Sequence, residues 1–114
     1  MSRITTHVLD TSRGRPAVGV RVTLELRAAE NDWREIGRGE TDADGRLRDL
    51  LSADVALVAG AYRLTFDTGA YFAARAQESF YPSAVVVFEV RAVDEHYHVP
   101  LLLNPFGYST YRGS

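Results

Sequence analysis

Val18-Gly19-Val20-Arg21-Val22-Thr23-Leu24-Glu25-Leu26 is the stretch that decides the fold. Its apolar residues stand at every second position. Side chains on an extended backbone alternate between faces, so the segment predicts a strand with one buried and one solvated face over 18–26. The same period recurs on both sides. Ile4 to Leu9 reads as a shorter strand ahead of the turn-rich Asp10-Thr11-Ser12-Arg13-Gly14-Arg15-Pro16, and Trp33 to Thr41 as another beyond Glu30-Asn31-Asp32. Thr41-Asp42-Ala43-Asp44-Gly45-Arg46 is a turn, because Asp-Gly readily supplies positive φ. Tyr62, Leu64 and Phe66 alternate with Arg63 and Thr65, and Ala84 to Val90 is valine-rich. Tyr97 to Leu103 and Tyr108 to Arg112 are joined by Asn104-Pro105-Phe106-Gly107, with Asn, Pro and Gly where a tight turn wants them. One segment departs from the period: Phe72, Ala76 and Phe80 recur every four residues, predicting a helix over 70–80 that stops before Pro82. About seven or eight short strands with regular turn signals indicate an all-β sandwich forming a single domain over 1–114.

Composition narrows the function classes. The chain has 114 residues, 46% hydrophobic and 25% charged, as an ordinary globular domain does. A net charge of -2 offers no footprint for nucleic acid. No apolar run approaches the ~20 residues of a membrane span, and Met1 to His7 lacks the apolar core of a signal peptide, so no membrane association is expected and the cytoplasm is the expected compartment. There is no cysteine, which removes disulfides, thiolate zinc sites and a cysteine nucleophile. There is no lysine either, which excludes Schiff-base chemistry on a lysine.

The histidines are the candidate chemistry. Strand parity puts His98, Pro100 and Leu102 on one face, and Thr5, His7 and Leu9 on another, with Ser109 and Tyr111 sharing a face of the last strand. A lone strand histidine is ordinarily a surface or satisfied residue. Two of them on matching faces, with Arg46 on a turn, raise the functional reading. His96 and His98 lie two apart on one face and with His7 would offer three nitrogens to zinc, but nothing in the sequence requires His7 to lie beside both, so no metal and no cofactor are expected. Glu40-x-Asp42-x-Asp44-Gly45 resembles the opening of a calcium loop, yet Leu51 stands where a bidentate glutamate is needed. No G-x-S-x-G nucleophile elbow is present.

Several blocks together carry a family resemblance: Thr6-His7-Val8-Leu9-Asp10, Gly14-Arg15-Pro16-Ala17, Thr41 to Arg46, His96-Tyr97-His98-Val99-Pro100-Leu101-Leu102-Leu103, and Tyr108-Ser109-Thr110-Tyr111-Arg112-Gly113-Ser114. In this order, over essentially the whole chain, they resemble the transthyretin-related 5-hydroxyisourate hydrolases. Asn104 departs from the family's usual serine in a hairpin turn.

The resemblance implies a transthyretin-like β-sandwich of two four-stranded sheets with one short helix. It implies a homotetramer with sites at the dimer–dimer interface, rimmed by Leu9, Pro100 and Leu102. The implied reaction opens the six-membered-ring amide of 5-hydroxyisourate, in urate degradation, to give 2-oxo-4-hydroxy-4-carboxy-5-ureidoimidazoline. His7 and His98 would move protons, with His98 activating water, and Arg46 would bind carbonyl oxygens and stabilise the oxyanion. Tyr111 would bind or orient the ring, and Ser114 would order the water or the arginine through its hydroxyl and carboxylate. Arg112 is expected as a structural partner of that carboxylate. The alternative is a transthyretin-like carrier of a small ligand without catalysis. A third reading, an adhesive sandwich domain, explains the strands but not the polar clusters at both ends.

Overall fold

A computed structural model describes residues 2–52 and 54–114. In chain order the elements are β1 (Ile4–Asp10), β2 (Arg15–Pro16), β3 (Arg21–Ala29), β4 (Asp32–Glu40), β5 (Arg46–Leu47), β6 (Gly60–Phe66), α1 (Thr68–Ala73), β7 (Ala84–Val90), β8 (Tyr97–Asn104) and β9 (Gly107–Thr110). One sheet has the order β4-β3-β6-β7, every pair antiparallel. In the other, β8 lies between β1 and β9, parallel to β1 and antiparallel to β9. The two-residue strands β2 and β5 pair with β1 at Leu9–Asp10 and at Thr6–His7 respectively. This sheet therefore has five strands, although β2 and β5 take turns along one edge of β1 and it is four strands wide at any level.

The predicted period is what buries the core. Val22 and Leu24 of β3, Leu64 and Phe66 of β6, and Leu101 and Leu103 of β8 are all buried, while their sequence neighbours face outward. Regular pairing begins later than the alternation suggested. Val18 is 45% exposed and β3 opens only at Arg21. The hydroxyl of buried Thr41 donates to the Ala17 carbonyl (2.7 Å) and accepts from the Val20 amide (2.9 Å). Backbone groups that a sheet ladder would have used are satisfied there by a side chain.

The helix is shorter than its pattern promised. It starts at Thr68, capped by the Asp67 carboxylate accepting from the Ala70 amide, and ends at Ala73. Ala76 adopts φ +57°, which no helix continues through. Phe80, the third residue of the four-residue recurrence, is 69% exposed, and its amide donates to the Pro105 carbonyl in the β8–β9 turn. Phe72 is buried in the core, but the helix ends before Ala76 and Phe80, so the three do not share a helical face.

α1 is anchored to the histidine-bearing sheet by one buried carboxylate. Asp10, fully buried at the end of β1, accepts from the Tyr71 hydroxyl (2.7 Å), the Ser12 hydroxyl (2.6 Å) and the Ser12 amide (3.1 Å). Burial pushes the Asp10 pKa up, but the bonds from Ser12 and Tyr71 outweigh it and hold the carboxyl below its ordinary 3.8. Tyr71→Phe should destabilise the chain by about 1–3 kcal/mol, because it removes a donor from a buried charge. A depressed folded pKa stabilises above the unfolded value and loses that effect as pH falls. Urea melts of both forms should therefore show the difference at neutral pH and its shrinkage below 3.8.

Candidate active site

The parallel register of β1 on β8 sets Thr5 opposite His98, His7 opposite Pro100 and Leu9 opposite Leu102. Because residues two apart share a face, this places both histidines on the outer face of one sheet. The hydroxyl of Thr5, a buried residue, lies 2.8 Å from His98 Nδ1 and 3.0 Å from His96 Nε2. His98 is half-buried and its Nε2 is the nitrogen left for the cleft.

Arg46 reaches the same place from a different part of the chain. The Asp42 carboxylate accepts from the amides of Asp44 (2.8 Å) and Arg46 (3.0 Å), closing the turn that the calcium-like spacing described. These two amides, more than the arginines nearby, hold the Asp42 carboxyl below its usual range. Gly45 sits at φ +75°, and a Cβ there would lie 2.5 Å from the Val8 carbonyl oxygen. Only glycine lets the turn press against β1 and pair Arg46 with His7. His7 Nε2 lies 2.9 Å from the Asp44 carbonyl; a carbonyl only accepts, so Nε2 carries the proton and Nδ1 is the basic nitrogen. Among the described residues no carboxylate forms an ion pair with Arg46, whereas neighbouring Arg48 pairs with Asp42.

The tail completes the site. The Gly113 amide donates to the His98 carbonyl (2.8 Å), so the last residues run back along β8. A Cβ on Gly113 would lie 2.6 Å from His98 Cδ2 and 3.2 Å from Pro100 Cγ. The glycine lies against the imidazole, and Ser114 then borders the cleft. That cleft, of about 310 Å³, is lined by Thr5, Thr6, Arg46, Arg48, His96, His98 and Ser114. A larger depression of about 490 Å³ between α1 and the start of β3 has Arg21, Glu40, Asp67, Tyr71 and Arg75 on its walls, but no histidine.

Burial, then the charges of Arg46, His96 and His7, push the His98 pKa below its ordinary 6.5. His98 is therefore held neutral, as a base, in a cleft where Arg46 supplies positive charge. Such a pairing suits attack of water on a carbonyl: a base for the water and a cation for the oxygen that gains charge.

Of the residues singled out in the sequence, Arg46, His98 and Ser114 share the cleft, and His7 adjoins it beside Arg46. Tyr111 lines a different cleft, against Val86, Phe88, Tyr97 and Val99. Arg112 was expected to meet the terminal carboxylate. Instead it donates to Glu95 (2.9 Å) and to the His96 carbonyl (3.4 Å), with its guanidinium over the Tyr97 ring. Glu95, in the lead-in to β8, takes the charge. His96 and His98 meet on the Thr5 hydroxyl, and among the described residues no three such side chains are placed to hold a metal ion. Thr5 and His96 also line the cleft; the sequence raised His96 only as a zinc ligand and gave Thr5 no role. Parity put Thr5 on the face of His7, but only the register brings its hydroxyl to His98.

A model of the HIUase/Transthyretin family matches residues 4–113. The 5-hydroxyisourate hydrolase of Mus musculus is 46% identical, with 99% of this chain and 96% of that protein covered. The structure of Klebsiella pneumoniae 5-hydroxyisourate hydrolase is 40% identical, at a TM-score of 0.84 and with 97% and 98% of the two chains covered. Sea bream transthyretin in complex with thyroxine is 34% identical, at a TM-score of 0.91 and with 98% and 95% covered.

Gly113→Ala should displace either the imidazole or the tail. Loss of cover lowers the desolvation of His98, so its titration midpoint should rise toward 6.5, read from its ring proton resonances by NMR. An unmoved midpoint would show that the tail does not shield the ring.

Proposed function

Since the chain belongs to the HIUase/Transthyretin family, we propose that it hydrolyses 5-hydroxyisourate to 2-oxo-4-hydroxy-4-carboxy-5-ureidoimidazoline, with His98 as the base and Arg46 as the oxyanion partner. The observation that carries the assignment of roles is the meeting in one cleft of a half-buried imidazole and a guanidinium that has no carboxylate partner among the described residues. His98 Nε2 takes a proton from water as the water oxygen attacks the ring carbonyl. The charge that develops on the carbonyl oxygen falls to the donor fork of Arg46. His7 anchors the Asp44–Arg46 segment through Nε2–H and presents Nδ1 beside Arg46. Ser114 orders the water. The fold alone does not choose between hydrolase and carrier, since both superpose on this chain. The hydrolases of Mus musculus and Klebsiella pneumoniae are 46% and 40% identical over nearly their full length against 34% for the transthyretin, and the polar cleft is suited to chemistry more than to holding an apolar ligand.

A cleft of about 310 Å³ bordered by exposed His96, Arg48 and Ser114 is at the lower end of what wraps a small ligand. We therefore place the working site under a second copy of the chain, in a homotetramer whose dimer–dimer interface covers the histidine face. Leu9 and Leu102 are half-exposed on that face, and Pro100 is buried beneath the tail. Among the described residues the outer edges of β4, β7 and β9 are unpaired, which also favours assembly. A single chain does not bring Tyr111 to the cleft, so its contact with substrate requires that assembly. Light scattering should give four times the chain mass at assay concentrations; a monomer with full activity would contradict the shared site.

The decisive assay follows the ultraviolet absorbance of freshly generated 5-hydroxyisourate, which the chain should deplete faster than spontaneous decay. His98→Asn should lose ~10²–10⁴-fold in turnover while remaining folded. Wild-type activity should hold to below pH 6.5 and then decline, because the neutral base persists down to its lowered pKa. A decline centred above 6.5 would remove His98 from the role of base.

A further inference from the structure

A base that takes a proton in a partly closed cleft stays an imidazolium until the leaving nitrogen accepts that proton, unless another proton can leave by its far side. The Thr5 hydroxyl lies between His98 Nδ1 and His96 Nε2, 2.8 and 3.0 Å away, and is itself buried. The two imidazoles lie nearly parallel, 24° between planes and 6.4 Å between centroids. His96, unlike His98, is exposed.

A hydroxyl has one proton to give. If it gives it to His96 Nε2, it accepts from His98 Nδ1–H, and His98 Nε2 is a bare lone pair facing the cleft. If it gives it to His98 Nδ1, it accepts from His96 Nε2–H, and His98 Nε2 holds a proton. Between the two arrangements two protons each move one heavy atom along the row, while one proton enters at His98 Nε2 and one leaves at His96 Nδ1. The first makes His98 a base and the second makes it an acid. Arg46 shares the cleft with Nε2, and its positive charge favours a lone pair over an N–H there, so the first is the resting arrangement.

We propose that Thr5 and His96 are a proton outlet connecting His98 to solvent, an inference that rests on the hydrolytic reading above. As the water oxygen bonds to the ring carbonyl carbon, its proton goes to His98 Nε2 and the C=O electron pair moves to the oxygen held by Arg46. The Nδ1 proton of His98 passes to Thr5 Oγ1, the hydroxyl's own proton passes to His96 Nε2, and His96 releases its Nδ1 proton to water. When the C=O reforms and the C–N bond breaks, the row runs in reverse. His98 Nε2–H protonates the departing nitrogen, and His96 takes a proton back from water. No imidazolium has to persist at His98. It would be faced there by Arg46 and Arg48 from β5 and the segment after it, by His7 from β1, by His96 from the lead-in to β8 and by Ser114 from the tail. Arg112 and Glu95 pair beside His96 and leave its ring open to solvent. Thr5 and His96 are positioning residues in this scheme, since both act through His98.

The test compares Thr5→Val, Thr5→Ser and His96→Gln with the wild-type chain. Thr5→Val should lower kcat roughly tenfold or more with KM little changed, a smaller loss than the ~10²–10⁴-fold of removing the base. Thr5→Ser, which keeps the hydroxyl, should restore most of it. His96→Gln should lose kcat and recover it as imidazole buffer is added, because a small base then accepts the proton outside the cleft. Long-range nitrogen–proton NMR on the substrate-free chain should find the His98 proton on Nδ1, and Thr5→Val should abolish that preference. Full turnover in Thr5→Val, equal losses in the Ser and Val variants, or His96→Gln at wild-type turnover would each overturn the outlet. A wild-type chain that fails to accelerate decay would sink the hydrolytic reading instead, while the NMR arm, read without substrate, still decides the direction of the Thr5 bond.

Discussion

The parallel ladder between β1 and β8 is the constraint on which the site depends. It joins segments more than ninety positions apart, and its register sets Thr5 against His98 and His7 against Pro100. A slip of one residue would turn every side chain of one strand to the opposite face. His98 would then point into the core, and Val99 and Leu101 would point out. The register is held by the core beneath it, where Ile4 and Val8 of β1 pack with Val99, Leu101 and Leu103 of β8. Burial of the inner face and placement of the outer one are the same event.

Two glycine-dependent approaches then bring the remaining groups to that face. Gly45 lets the Asp42-capped turn lie against the Val8 carbonyl, delivering Arg46 beside His7. Gly113 lets the tail lie on the His98 ring, bringing Ser114 to the cleft and withdrawing the imidazole from water. Neither glycine touches substrate in the proposed reaction. Both act by allowing backbone where a methyl group would not fit.

The architecture is shared by a thyroxine-bound carrier and by hydrolases, so the sandwich by itself says little about activity. What bears on activity in this chain is a small set of polar side chains on one sheet face and the electrostatic balance among them. Burial first, and then the cation beside it, favour the neutral imidazole, and in the proposed reaction the same cation meets the oxyanion. The buried Thr5 hydroxyl ties that ring to an exposed one. Asp10 plays an unrelated part at the far end of β1, where it anchors the helix.

Period-two alternation determined the strands, the buried faces and the sandwich, because which side of a strand an apolar residue occupies is a local property of an extended chain. The pairing of histidines by face was legible for the same reason, and the Asp-Gly and Asn-Pro-Phe-Gly turns followed from the chemistry of their residues. Local spacing misled where the responsible contact was distant. Phe80 counted as a helical residue although it reaches the β8–β9 turn, and Val18 counted as strand although Thr41 takes over the bonds of its neighbours. Arg112 found Glu95, Tyr111 opened onto another cleft, and Thr5 joined the histidines through its hydroxyl. These outcomes depend on which segments meet and in what register, and that is settled by the packing of the whole core, which no single stretch of sequence contains.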